Sequence, residues 1–151
     1  MPNTQAMCTS FKVEILGGVH AIGTPPTRGT TAKDTFKAAL YLASATVNAA
    51  TTAYNASGEV SGAGYSAGGI AVTNATAPTS SGTTAYWTPS ASLTYTGVTL
   101  TTPFDAVLIY NSTQADKAVA VYTFGSQTVT AGNFILTMPT NDASTGLLRI
   151  A

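Results

Sequence analysis

Alternation with period two begins just after Asp34. Phe36, Ala38, Leu40 and Leu42 fall on one face and Lys37, Ala39 and Tyr41 on the other, which predicts a half-buried strand. Further on, 104–110 and 118–124 are the two most apolar runs. Both are rich in β-formers, and the polar link from Asn111 to Lys117 between them predicts a hairpin. Shorter runs at 70–72, 83–87, 93–96, 98–100, 127–130, 134–138 and 147–150 read as further strands, punctuated by Pro89, Gly125, Ala131-Gly132 and Pro139. Only 10–18 suits a helix. It has Thr9 or Ser10 as N-cap, Phe11, Ile15 and Leu16 on one side and Gly17-Gly18 as a stop. About two turns are not stable alone, so this helix must dock on a sheet.

The expected fold is mainly β: a single-domain antiparallel β-sandwich or flattened, jelly-roll-like barrel of about eight strands with one short N-terminal helix. Residues 1–10 read as an N-terminal arm and 11–151 as one β-rich domain. The passage 19–33, with Gly23, Pro25-Pro26 and Gly29, reads as an exposed loop, and 74–82 as a Thr/Ser/Pro loop.

One stretch has a different character. Glu59-Val60-Ser61-Gly62-Ala63-Gly64-Tyr65-Ser66-Ala67-Gly68-Gly69 interleaves four glycines with one aromatic and one carboxylate. Glycine admits positive φ and close approach of two backbones, so the stretch reads as backbone machinery.

Composition narrows the function classes. The chain has 151 residues, enough for one domain with a real core. Charged residues make up 8% of it, against about 25% in a typical globular protein, and formal net charge is zero. Weak colloidal repulsion favours association, so an assembly with other proteins or with its own copies is expected. Scattered Lys and Arg argue against nucleic-acid binding, which needs clustered cations to displace counterions. The first residues carry neither a basic segment nor an apolar one, and no run approaches the roughly 20 apolar residues of a membrane span.

Reaction chemistry is sparse. His20 is the single histidine, and no serine lies in a G-x-S-x-G setting. Cys8, the single cysteine, reads as a buried small residue. One His, one Cys and isolated carboxylates do not make a zinc site; Asp116 or Asp142 with carbonyls could at most hold Ca²⁺ weakly. The six acids could include a glycosidase pair, but most sit beside turn residues. Gly62-Ala63-Gly64 lacks the Gly-Lys-Ser/Thr of a phosphate loop. Sequons at Asn55, Asn74 and Asn111 are chance matches in a Thr/Ser-rich chain. No enzyme activity, cofactor or metal is expected. The aromatics Tyr54, Tyr65, Tyr86, Trp87 and Tyr95 would close a core or a subunit interface, or form a sugar-binding patch.

The chain resembles a family of small structural proteins encoded by tailed bacteriophages. The resemblance runs through Thr9-Ser10-Phe11-Lys12, Phe36-Lys37-Ala38-Ala39-Leu40-Tyr41, the glycine stretch, Leu108-Ile109-Tyr110-Asn111-Ser112, Ala118-Val119-Ala120-Val121, Phe124-Gly125 and Leu148-Arg149-Ile150. It implies a virion component made in the bacterial host cytoplasm: a capsid decoration or cement protein on the major capsid protein, or alternatively a tail, baseplate or fibre-associated protein. A host-glycan-binding module is the reading from another class. The loop Pro25-Pro26-Thr27-Arg28-Gly29 departs from the family's direct step from helix to strand and reads as an attachment arm. Expected partner contacts are Pro2, Phe11, Pro25, Pro26, Arg28, Tyr65 and Trp87.

Overall fold

A computed structural model describes residues 2–16, 18–23 and 32–151. Eight strands and one helix follow in the order β1 (Ala6–Met7), α1 (Thr9–Leu16), β2 (Phe36–Leu42), β3 (Ile70–Val72), β4 (Thr79–Ser81), β5 (Thr84–Trp87), β6 (Leu93–Asn111), β7 (Lys117–Leu136) and β8 (Leu148–Ile150). They form two antiparallel sheets, one of five strands in the order β1-β7-β6-β2-β3 and one of three in the order β4-β5-β8. The mainly β, two-sheet architecture agrees with the sandwich that the alternation predicts. No strand is shared between the sheets, so they do not close into a barrel.

The predicted hairpin is present but far longer than expected. β6 and β7 pair from Asn111↔Lys117 to Leu93↔Leu136, carrying the chain through Gly125 and Ala131, read in the sequence as turns, and through Gly97 and Pro103, which lie between the predicted runs. These breakers act as irregularities within continuous strands. The register slips around Phe104, residues 101–103 and 125–128 are exposed, and Ala131 takes φ 47°. Beyond this bend the ribbon returns over β2: the Tyr95 hydroxyl donates to the carbonyl of Ala38 at 2.9 Å. Phe104 meets Phe134 edge to face, 4.9 Å between centroids.

β2 is a central strand, not a half-buried one. It lies between β6 and β3, and Ala38, Ala39, Leu40 and Tyr41 are all buried. Alternation misreads it because both faces are covered.

Residues 2–8 are not a free arm. Asn3 donates to Asp105 Oδ1 at 2.6 Å and accepts from the Val47 amide, Thr4 donates to the Val47 carbonyl, and β1 pairs with Ala120 and Val121. Cys8 is fully buried, and its carbonyl accepts the first helical bond, from Lys12. The N-terminal segment thus lies along the large sheet and supplies its short end strand, β1.

The glycine stretch runs along the edge of this sheet. Val60 donates to the carbonyl of Leu40 at 3.0 Å, Thr99 to that of Ala63 at 2.8 Å, and the chain then enters β3. A Cβ on Gly62 would lie 2.0 Å from the Thr99 oxygen, and one on Gly69, at φ 72°, 1.7 Å from the Ala38 oxygen. No side chain fits there. Gly69→Ala is therefore expected to cost at least about 3 kcal/mol of stability. Gly125→Ala, with open space around its Cβ, should change stability by less than about 1 kcal/mol. Comparable losses in denaturant unfolding of the two variants would contradict this account of the strap.

Candidate functional site

Three places gather the chemistry-bearing residues. The first is the strap's own carboxylate. Glu59 Oε1 accepts from the Tyr65 hydroxyl (2.7 Å) and the Gly68 amide (2.8 Å), and Oε2 accepts from the Tyr54 hydroxyl (2.7 Å). Tyr65 in turn accepts the amide of Leu40 at 3.0 Å, so one phenol ties the strap's carboxylate to the middle of β2. Tyr54 stacks on Tyr110, whose hydroxyl donates to the Gly68 carbonyl at 2.7 Å; Tyr65 stacks on Tyr95. Burial pushes all of these phenols up, the Glu59 charge adds to the effect, and Tyr110 reaches about 12. They remain protonated donors at any physiological pH. The arrangement fixes backbone and gives both oxygens of Glu59 partners within the chain.

The second place lies between α1, residues 20–23, Asp34 and the hairpin loop. Glu14 Oε2 and His20 Nε2 are 2.7 Å apart, and Lys117 Nζ donates to Glu14 Oε1 at 2.7 Å. Asn111 Nδ2 lies 3.0 Å from His20 Nδ1 and donates to Asp34 Oδ2 at 2.7 Å. Asn74 donates to the Asp34 carbonyl at 2.8 Å and accepts from the Gly23 amide at 2.7 Å. With Nε2–H donating to Glu14 and Nδ1 accepting from Asn111, both imidazole nitrogens are occupied. The ring is enclosed between Phe11 and Phe36, and its side chain is 0% exposed. This is a structural histidine. Asn111, which faces the ring, and Asn74, which bonds to Asp34, are both buried, so neither sequon offers a side chain for glycosylation in the folded chain.

The third place is an apolar groove of about 230 Å³ between α1 and the three-stranded sheet, lined in part by Phe11, Ile15, Tyr86, Trp87 and Ile150. Two expected partner contacts meet here, but as its floor. Phe11 is fully buried, and Trp87 is 3% exposed with its indole N–H donating to the Thr76 carbonyl at 2.8 Å. Neither presents a face to a macromolecular surface, which corrects both assignments. The sugar-binding patch loses its platform with Trp87 and with Tyr95, which is 2% exposed. Tyr65 is half-buried and spent on Glu59 and Leu40, Pro2 is exposed, and Pro25, Pro26 and Arg28 lie outside the described residues.

The remaining candidates are engaged locally. Cys8 is buried away from any opening, and burial, with Glu14 nearby, pushes its thiol up to about 11. Asp142 accepts from the Ser144 and Thr145 amides and the Thr145 hydroxyl, which hold its carboxyl below the usual range. Among the described residues, no group of three or more His, Cys, Asp or Glu side chains could hold a metal ion. The Glu14–His20–Asn111–Asp34 chain was hidden in the sequence, because its members come from four segments up to 103 residues apart when Lys117 is included. The clustering of tyrosines around Glu59 was equally hidden, although Tyr65 stood inside the stretch.

Comparison of the chain with protein-family models, curated proteins and solved structures found no match.

Glu14 yields a pH prediction. Burial alone would raise its pKa, but the hydrogen bonds from Lys117 and His20 and the Lys117 charge outweigh this and hold it below the ordinary value. A carboxyl lowered on folding adds stability above its unfolded pKa of about 4.3, and that stability is lost as pH falls through the folded value. Glu14→Gln should therefore shrink the difference in urea midpoint between pH 7 and pH 3, leaving a residue from Asp142. An unchanged difference would place the acid sensitivity elsewhere.

Proposed function

We propose that this chain is a structural component of a tailed-phage virion, with a capsid decoration or cement protein as the leading form. The carrying observation is a contrast between its inside and its edge. The side chains with reaction chemistry, His20, Glu59 and Cys8, are committed to internal bonds or buried, whereas the large sheet ends in a long strand edge that is open among the described residues. Thr52, Ala53, Cys8, β1 and Gln5 cover β7 from Lys117 to Thr123. Beyond them, from Phe124 to Leu136, the strand has no charged residue and no proline, and Ile135 is 54% exposed.

Natural edges are usually blunted with lysine, proline or a covering element. An uncharged edge suits β-augmentation by a neighbour, and a symmetric shell that repeats modest contacts gains occupancy by multivalency. The near-zero net charge removes the repulsion that would oppose such crowding. The resemblance to phage structural proteins supplies the setting, and tail, baseplate or fibre placement is the alternative within it.

Gel-quantified copy number in purified particles tests the reading. Hundreds of copies per particle are expected for a head protein, and a dozen or fewer would assign it to the tail. Ile135→Lys, which places a cation on the open edge strand, should lower occupancy roughly tenfold or more without loss of fold. Absence from particles altogether would overturn the virion reading, and full occupancy of Ile135→Lys would remove β7 from the interface.

A further inference from the structure

One opening beside the C-terminal segment has not entered the sites above. It is a cavity of about 390 Å³ between the β6–β7 face and residues 137–149. That is more than twice the roughly 150 Å³ that holds benzene in an engineered core, and it falls within the usual range of ligand pockets, about 300–1,000 Å³. Its floor is built from Leu93, Val107, Ile109 and Leu136, the first three exposed by 3% or less. Tyr122, also on its wall, keeps its hydroxyl occupied on the Leu147 carbonyl. The floor therefore offers methyl and methylene groups and no free polar atom from that phenol.

The rim is different. Gln5, Thr137 and Arg149 stand around the opening. Arg149, on β8, makes one hydrogen bond, a long one of 3.4 Å to the Ala143 carbonyl, and among the described residues no carboxylate lies within 4.0 Å of it. Asp142 is the nearby acid, and three donors of its own turn already occupy its oxygens. A guanidinium with free donors thus stands at the rim of a cavity with an aliphatic floor.

From this juxtaposition we propose that the cavity binds an aliphatic carboxylate, its chain against Leu93, Val107 and Ile109 and its head group on Arg149. Guanidinium and carboxylate match as a two-point fork. A phosphate head group would call for more than the single cation that this rim supplies. The site is independent of the virion reading and of the β7 edge.

Octanoate, octanol and octylamine titrated into the full chain, followed by calorimetry and methyl NMR, test the proposal. Octanoate should bind saturably and shift Leu136, Met138 and Leu147 methyl signals, at least about tenfold more tightly than octanol, a difference of about 1.4 kcal/mol. Arg149→Gln should make octanoate and octanol equal. Thr137→Trp, which fills the mouth from an exposed position, should abolish both while leaving thermal unfolding unchanged. Octanoate binding no tighter than octanol or octylamine, shifts elsewhere on the chain, or an intact preference in Arg149→Gln would overturn it. So would a capped leucyl peptide with a free carboxylate that binds where octanoate does not, since the site would then belong to a polypeptide end.

Discussion

A carboxylate placed beside a sheet edge needs donors, and Glu59 finds all of its own within the glycine strap and the tyrosines that surround it. This constraint shapes much of the domain. The strap lies close to β2 and β6 because Gly62, Gly64 and Gly69 leave no room for a side chain, but close approach alone does not fix a loop in one place. Glu59 supplies the fixing point: it holds the Gly68 amide and, through Tyr65, the Leu40 amide of β2. With the strap seated, Ala39 and Tyr41 are buried, and β2 becomes an inner strand of the sheet, between β6 and β3.

The same economy runs through the rest of the chain. With few charged residues, internal polar groups are satisfied by phenols, amides and carbonyls, and the few charges are used where several bonds converge. Glu14 takes both Lys117 and His20, and the Asp34 side chain takes the Ala21 amide, Asn111 and Gln114. Breaking such a node leaves buried groups without partners, at a cost of about 1–3 kcal/mol for each. Groups held this firmly are poor acids, bases or nucleophiles, because each carboxylate oxygen and ring nitrogen already has a partner. The proposals made for this chain therefore rest on the open edge of β7 and on the cavity beside Arg149.

Much of the fold was legible in the sequence because it rests on local patterns. The apolar β-forming runs located the β6–β7 hairpin, Thr9 and the following glycines bracketed α1, and the glycine-rich run announced backbone packing. What stayed hidden depended on distant partners. Gly97, Pro103 and Gly125 are strand breakers by local rules, yet here they let one long ribbon bend and fold over β2. β1 is two residues long, and only its pairing with β7 makes it a strand. Phe11 and Trp87 were read as partner contacts because large aromatics do cover interfaces. Their burial follows from the way α1 and β5 face each other across a groove, which spacing along the chain does not encode.

Amide hydrogen exchange at single-residue resolution tests the central claim most directly, namely that the glycine strap is a fixed part of the sheet held by Glu59. The Gly68, Val60 and Thr99 amides, whose acceptors are Glu59, Leu40 and Ala63, should exchange as slowly as those in the middle of the β2–β6 ladder, through global unfolding alone. Rapid exchange of these three amides beside a protected β2–β6 ladder would contradict the account, because the strap would then open independently of the sheet it is said to secure.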